Sequence, residues 1–296
     1  VILQYTLLIL GVWCCSTAAI LIKLSAIEPM YLAAGRLLLA AVVLLPVHLR
    51  YRKRHPGQAP KLKSILLPAV FLAVHFMLWI VAARLIPAAN GTLIANLVPL
   101  VMPAMLWVLV REKAKASELL ATMIAMSGLL LMMVDDLKMD AAYLRGDGLA
   151  LAAMAMLTVY LVLAKRHRTL PSIWLYVVPV YAVAGVMCLP VAVLMHGAPP
   201  AVNGREGLLL LGLVLLPTVL GHSLLNAAMW WFRGQVVSIF NLFQFTFAGV
   251  MAYLLLDGEM PTRSLYLAAA MIMLALIVML WPQRAKTVDV AIVDAE

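Results

Sequence analysis

Two histidines, His75 and His222, stand in otherwise apolar stretches, and each has a partner four residues on that shares its helical face: Trp79 after His75, Asn226 after His222. A histidine beside an indole or a carboxamide can bind a small polar solute, or change its charge near neutral pH. Asn241 and Gln244, with Ser238 at helical spacing, offer several donors and acceptors on one face. Thr92 and Asn96, four apart, precede Pro99 and Pro103, and each proline removes a backbone hydrogen bond and frees a carbonyl. Trp13 with Ser16 and Thr17, and Thr158 with Tyr160, form two further polar sets. The rival reading makes the histidines and amides interhelical hydrogen-bonding groups that fix packing, and the Trp and Tyr residues interface anchors.

Other chemistries find less support. Two histidines without a third ligand in the same stretches fall short of a zinc site, so no metal is expected. Cys14, Cys15 and Cys188 make no CxxC pair and read as small core hydrophobes. There is no GxxxxGK[ST] phosphate loop, and no cofactor is expected. All 13 carboxylates lie in links or at the ends of apolar runs, which weighs against a pump for permanent cations that needs a buried counter-charge. Arg36 lies about two turns inside an apolar run. It reads as a structural residue that snorkels or caps a helix, with contact to an anionic solute group as the minority alternative.

The elements that must position these residues are membrane spans. Hydrophobic residues make up 66% of the chain, charged ones only 12%, and the mean hydropathy is +1.04. A soluble globular surface is excluded. A net charge of +9 does not signal nucleic acid, because the basic residues cluster between apolar runs: Arg50–Lys63, Arg111–Lys115 and Lys165–Arg168. A span needs about 20 apolar residues. Five are expected at Ile2–Ile22, Pro29–Leu49, Ser64–Ala83, Ala88–Val110 and Ala116–Val134. Five more follow at Gly148–Ala164, Ser172–Met195, Glu206–Met229, Gln235–Leu256 and Ser264–Trp281. With both termini in the cytoplasm, fifteen of the 22 basic residues fall inside and six outside, with Arg36 within a helix.

The second half repeats the first. At a constant offset His75 meets His222, Leu109 meets Leu256, Glu112 meets Glu259, Ser117 meets Ser264 and Met126 meets Met273. Rare polar letters held in register are costly to obtain by chance. Five spans per copy is an odd number, so the second copy enters the membrane from the opposite side. The expected fold class is an all-α integral membrane protein of ten transmembrane helices in two inverted five-helix repeats, residues 1–135 and 136–284, with 285–296 a disordered cytoplasmic tail.

Trp13, Lys23, Pro29 and Arg36, the stretch "HFMLWIVAARLIPAANGTLIANLVPLVMPAML" followed by "REK", and "GHSLLNAAMWW" with "LLLDGEMPTRSLYLAAAMIML" together resemble the drug/metabolite transporter superfamily, in its EamA-type family. The resemblance implies ten helices in two inverted repeats and a cavity lined by spans one, three, four, six, eight and nine. It also implies transport of small metabolites, often amino acids, usually outward across a bacterial inner membrane. Two positions depart from the pattern. Thr246 stands where the second repeat often has Pro, which predicts an altered bend in span nine. Arg111 stands where the first repeat often has Gly before Glu.

The expected function is therefore a secondary transporter of a small neutral or zwitterionic metabolite, amino-acid-like, working by alternating access and exporting. Its site residues would be Trp13, His75, Trp79, Asn96, Tyr160, His222, Asn226, Asn241 and Gln244. Its partners would be a small-molecule substrate and the lipid bilayer, with the chain a monomer or homodimer and no nucleic acid bound. An importer of a nutrient or vitamin, an integral-membrane lipid-modifying enzyme and a membrane scaffold are the alternatives.

Overall fold

A computed structural model of the protein describes residues 2–95, 97–136, 143–255 and 263–293, and every regular element in these residues is helical. Apolar runs of this length leave a backbone in hydrocarbon one economical choice, which is to pair each N–H and C=O within its own helix. The first half holds α1 (Ile2–Leu24), α2 (Pro29–Arg54), α3 (Leu62–Leu85), α4 (Ala88–Ala95), α5 (Val98–Val110) and α6 (Ala116–Asp136). The second holds α7 (Leu144–Ala164), α8 (Trp174–His196), α9 (Gly204–Leu213), α10 (Ser223–Trp231), α11 (Gly234–Asn241), α12 (Phe243–Leu255) and α13 (Arg263–Val293). A π-helical stretch, Val214–His222, joins α9 to α10 without a break in direction.

Among the described residues, eight helical stretches are long and apolar enough to cross a membrane, and two shorter apolar stretches, Ala116–Leu131 and Tyr266–Trp281, lie in α6 and α13. As a helix, α13 continues to Val293 and so takes in part of the segment expected as a tail. The main packing joins one half to the other. α2 lies along α8, α3 along α7, α6 along α13, α4 against α12, and α1 against the π-helical stretch and α10. Exchange of the two halves maps this set of pairs onto itself. Small residues permit the closest approaches, as expected where lipid and protein interior are equally apolar. A Cβ on Gly221 would lie 2.5 Å from Cys15 Sγ and 3.1 Å from the Cys15 backbone nitrogen, which seats α1 directly on the π-helical stretch.

Two apolar stretches, α4–α5 and α11–α12, are each interrupted where the sequence predicts one continuous run. α4 stops at Ala95 and α5 starts at Val98, and α11 stops at Asn241 and α12 starts at Phe243. Both junctions tighten into i→i−3 hydrogen bonds: Leu97 N to Ile94 O (3.1 Å) and Leu100 N to Leu97 O (3.1 Å) in one, Leu242 N to Ile239 O (3.2 Å) and Phe245 N to Leu242 O (3.3 Å) in the other. Pro99 follows the first junction, whereas Thr246 takes the equivalent place after the second. The interruption is thus kept without the proline.

Arg111 stands in a backbone conformation that favours glycine. It ends α5 with φ 57° and ψ 24°, and its N–H and that of Glu112 return to Leu106 and Trp107 carbonyls. A left-handed C-cap costs a side-chain-bearing residue about 1–2 kcal/mol. Arg111→Gly is expected to stabilise the purified protein by about 1 kcal/mol, seen as a small rise in thermal midpoint; a fall would show that the Arg111 side chain, which lies over Trp107, is the stronger contribution. Gly221→Leu should lower the midpoint steeply by forcing α1 away. Gly148→Leu, where nothing lies within 4 Å of the new Cβ, should leave it unchanged.

Candidate functional site

The two histidines meet at the centre of the bundle. His75 on α3 and His222 at the end of the π-helical stretch have ring centroids 5.9 Å apart, and both rings are buried. His75 Nδ1 lies 2.8 Å from the Ala153 carbonyl on α7. A carbonyl only accepts, so Nδ1 carries the proton and Nε2 of the neutral ring is left as an acceptor. Phe76 packs against His222 with centroids 5.2 Å apart, and on that ring lies the guanidinium of Arg36, with Cζ 4.4 Å from the centroid.

The π-helical geometry sets the polar groups that face α2 and α8. Thr218 Oγ1 donates to the Leu213 carbonyl five residues back (2.7 Å) and accepts from Arg36 Nε (2.6 Å). Tyr181 on α8 reaches Ser223 Oγ at 3.2 Å. π-helical insertions are frequent at functional positions because they rotate side chains out of the α-helical register. Asn226, one α-helical turn past His222, donates from Nδ2 to Tyr160 Oη (2.8 Å) and to the His222 carbonyl (2.6 Å). His222 Nδ1 and Asn226 Oδ1 have no hydrogen-bond partner.

A cavity of about 30 Å³ lies among these groups, lined by Arg36, His75, Trp79, Thr92, His222 and Gln244 together with Cys15, Ser16 and apolar neighbours. That is room for a water or two. A much larger groove of about 590 Å³ lies between α1, α12 and α13, but Phe240, Phe243, Phe247, Trp281 and aliphatic side chains line it, and it offers little with which to recognise a polar solute.

Of the residues expected at a site, His75, Trp79, His222 and Gln244 line the cavity. Asn226 and Tyr160 stand just behind it, joined to each other, and Asn241 is buried and accepts from Gln244 Nε2. Trp13 does not join them: its side is 41% exposed on the outside of α1. Asn96 lies outside the described residues. Arg36 neither snorkels nor caps a helix end, for it is 1% exposed in the middle of the bundle. Thr218, Tyr181, Ser223 and Phe76 were not singled out by the sequence. Thr218 sits four residues before His222, a spacing that could have flagged it.

Polar latches close both ends of the bundle. At one, Lys165 donates to Glu112 (2.6 Å), and Arg233 pairs with Glu118 and donates to the Lys113 carbonyl. Its hydrogen bonds to the Glu118 carboxylate hold the Arg233 guanidinium still more firmly in its charged form, against a smaller effect of burial. A recess of about 700 Å³ rimmed by Lys165, Arg166, Arg168, Trp230 and Trp231 lies beside this latch. At the opposite end, Glu206 accepts from Ser25 Oγ (2.8 Å), the Ala26 N–H (3.0 Å) and Arg205 (2.8 Å). Arg84 there donates to the Ser25 and Ile27 carbonyls, and Tyr31 to the Gly197 carbonyl.

The model of the EamA-like transporter family matches residues 2–134 and again residues 144–281, one copy in each half. A solved crystal structure of another protein superposes on 93% of this chain and 96% of its own with a TM-score of 0.76 at 17% sequence identity, which shows a shared fold. No curated protein matches the chain.

The Lys165–Glu112 pair joins the halves, with the lysine 7% and the glutamate 19% exposed. Lys165→Met alone should destabilise the protein more than Lys165→Met combined with Glu112→Gln, because the single change strands a carboxylate. Thermal midpoints of the four proteins in a double-mutant cycle should show a coupling of about 1–3 kcal/mol. Additive effects would mean that the two groups do not sense each other.

Proposed function

The chain belongs to the EamA-like transporter family, within the drug/metabolite transporter superfamily, and we propose that it is a secondary transporter of small neutral or zwitterionic, amino-acid-like metabolites. As a member of that family it is a multi-pass membrane protein. In our reading it has ten spans, with α4–α5, α9–α10 and α11–α12 each forming one span and α6 and α13 the fifth and tenth. The two halves, 1–135 and 136–284, are inverted copies, both termini are cytoplasmic, and the protein exports its substrate across a bacterial inner membrane. The exchange symmetry of the helix pairs and the matched interruptions of α4–α5 and α11–α12 support the repeat. The odd span number of each copy supports its inversion.

The observation that carries the functional reading is the contact of His75 with His222. One histidine from each half meets at the centre, beside a polar cavity, between two latched ends. Two half-structures that share a central site and close at alternate ends are the physical basis of alternating access. His75, Trp79, His222 and Gln244 would face the solute, with Asn226, Tyr160 and Asn241 behind them.

Counterflow tests this. Proteoliposomes loaded with an unlabelled amino acid mixture should accumulate labelled amino acid from outside above the level of protein-free liposomes. His222→Ala and Asn241→Ala should each lower the initial rate at least about tenfold, as loss of a site contact of about 1.4 kcal/mol or more would, while leaving membrane insertion and the elution profile intact. Wild-type rates from both variants would remove these residues from the site. Export is tested separately, by a rise in external amino acid and a fall in internal pools on overexpression; the reverse would favour an importer.

A further inference from the structure

We infer that Arg36 is an anion subsite, and that the solutes this protein carries bear a carboxylate bound end-on by the two Nη groups of Arg36. This rests on the transport reading above and narrows its substrate class.

Arg36 is 1% exposed and lines the central cavity beside His75 and His222. Of its five N–H groups, the one on Nε is committed to Thr218 Oγ1, while Nη1 and Nη2 have no partner. No acidic side chain among the described residues pairs with it. Glu112 and Glu118 are held by Lys165 and Arg233 at one end of the bundle, and Glu206 and Glu28 are held at the other by Arg205 and His196. The Phe76 face offers the guanidinium a cation–π contact, which offsets only part of the cost of burying a charge. A lone cation in the middle of a membrane protein is expensive and marks a place where a counter-charge comes and goes.

The geometry specifies what kind of counter-charge. With Nε engaged, the edge of the fork that remains is the Nη1–Nη2 edge, which matches the two oxygens of a carboxylate in a bidentate pair. Thr218 is itself fixed, because its single hydroxyl proton goes to the Leu213 carbonyl. The fork is therefore held in one orientation before any solute arrives. Among the described residues that line the cavity, Arg36 is the only formally charged one. One positive charge balances a monoanion, whereas a dianionic phosphate would leave a negative charge uncompensated at the centre. The remaining groups suit the other half of an amino acid. His75 Nε2 is an acceptor, since Nδ1–H is given to Ala153, and an amino group can donate to it.

The test compares each of a panel of amino acids with its own carboxamide and with the amine that lacks the carboxyl group, by thermal shift and by competition in counterflow. The acids should bind with dissociation constants at least about tenfold lower than either analogue on the wild-type protein. Arg36→Gln should abolish that preference, and Arg36→Lys, which keeps the charge but not the fork, should retain part of it. Without solute, Arg36→Gln should melt no lower than the wild type, because it removes an unpaired buried charge; a purely structural arginine would give a clear fall. Equal binding of acid and carboxamide on the wild-type protein overturns the inference whether or not any variant folds. So does acid binding that survives in Arg36→Gln. If uncharged solutes such as nucleosides exchange and no acid does, transport stands and the carboxylate subsite falls. If no solute exchanges, both readings fall together.

Discussion

A polar group in this protein must find its partner inside the protein, because the surrounding hydrocarbon supplies none. That constraint makes every described element a helix. It also sorts the side chains. Where the chain turns at the ends of the bundle, the carboxylates and basic side chains bind one another or spare backbone carbonyls, as in Lys165–Glu112 and Arg84 on Ser25 and Ile27. At mid-depth, groups that would be costly against lipid face inward and share one small cavity. The two interrupted helices obey the same rule. Among the described residues beside their junctions, Ile94 and Ala95 in one and Asn241 and Leu242 in the other are buried, and Leu97 is half-buried.

Duplication supplies the frame, and the departures from it supply the chemistry. His75 and His222 occupy matched positions, yet they are not held alike. His75 sits in a regular α-helix and gives its Nδ1 proton to Ala153. His222 ends a π-helical stretch and keeps an unpartnered Nδ1. Arg36 on α2 has no charged counterpart on α8, which carries no Lys, Arg, Asp or Glu. A symmetric scaffold can exchange its two halves, but an asymmetric centre is what distinguishes the two ends of a solute.

The sequence alone revealed a helical membrane protein, its two repeats and the matched positions of the two histidines, because polar residues are rare in such runs and their register is hard to counterfeit. It did not show that Trp13 lies on the exposed side of α1, and it missed the π-helical stretch and the interruptions between α4 and α5 and between α11 and α12. The reason is physical. In a soluble helix the apolar stripe points to the core, but here lipid and core are equally apolar, so periodicity does not say which face is which. Trp13 and Trp79 look alike in sequence, and only packing puts one outside and the other beside the cavity. Arg36 was read as structural because a buried, unpaired guanidinium is the exception for arginine; that it lacks a carboxylate is a fact of three dimensions. The one glycine-like position, Arg111, was flagged by resemblance and explained by its positive φ.

The two ends differ in kind, and this bears on how such a molecule could open. One end is held mainly by ion pairs between the halves, the other mainly by hydrogen bonds from Arg84, Tyr31 and Ser25 to carbonyls and a single carboxylate. The latch carboxylates are largely buried while the ends are closed, but they lie at the ends of the bundle, where opening admits water to replace each broken contact. The apolar packing between the latches and the centre, such as Cys15 on Gly221 and Leu38 on Gly185, has no such substitute. Helices that pivot about these close contacts while their polar ends trade protein for water would keep the cost of motion low. The buried guanidinium stays at the pivot, where its partner must come from the solute.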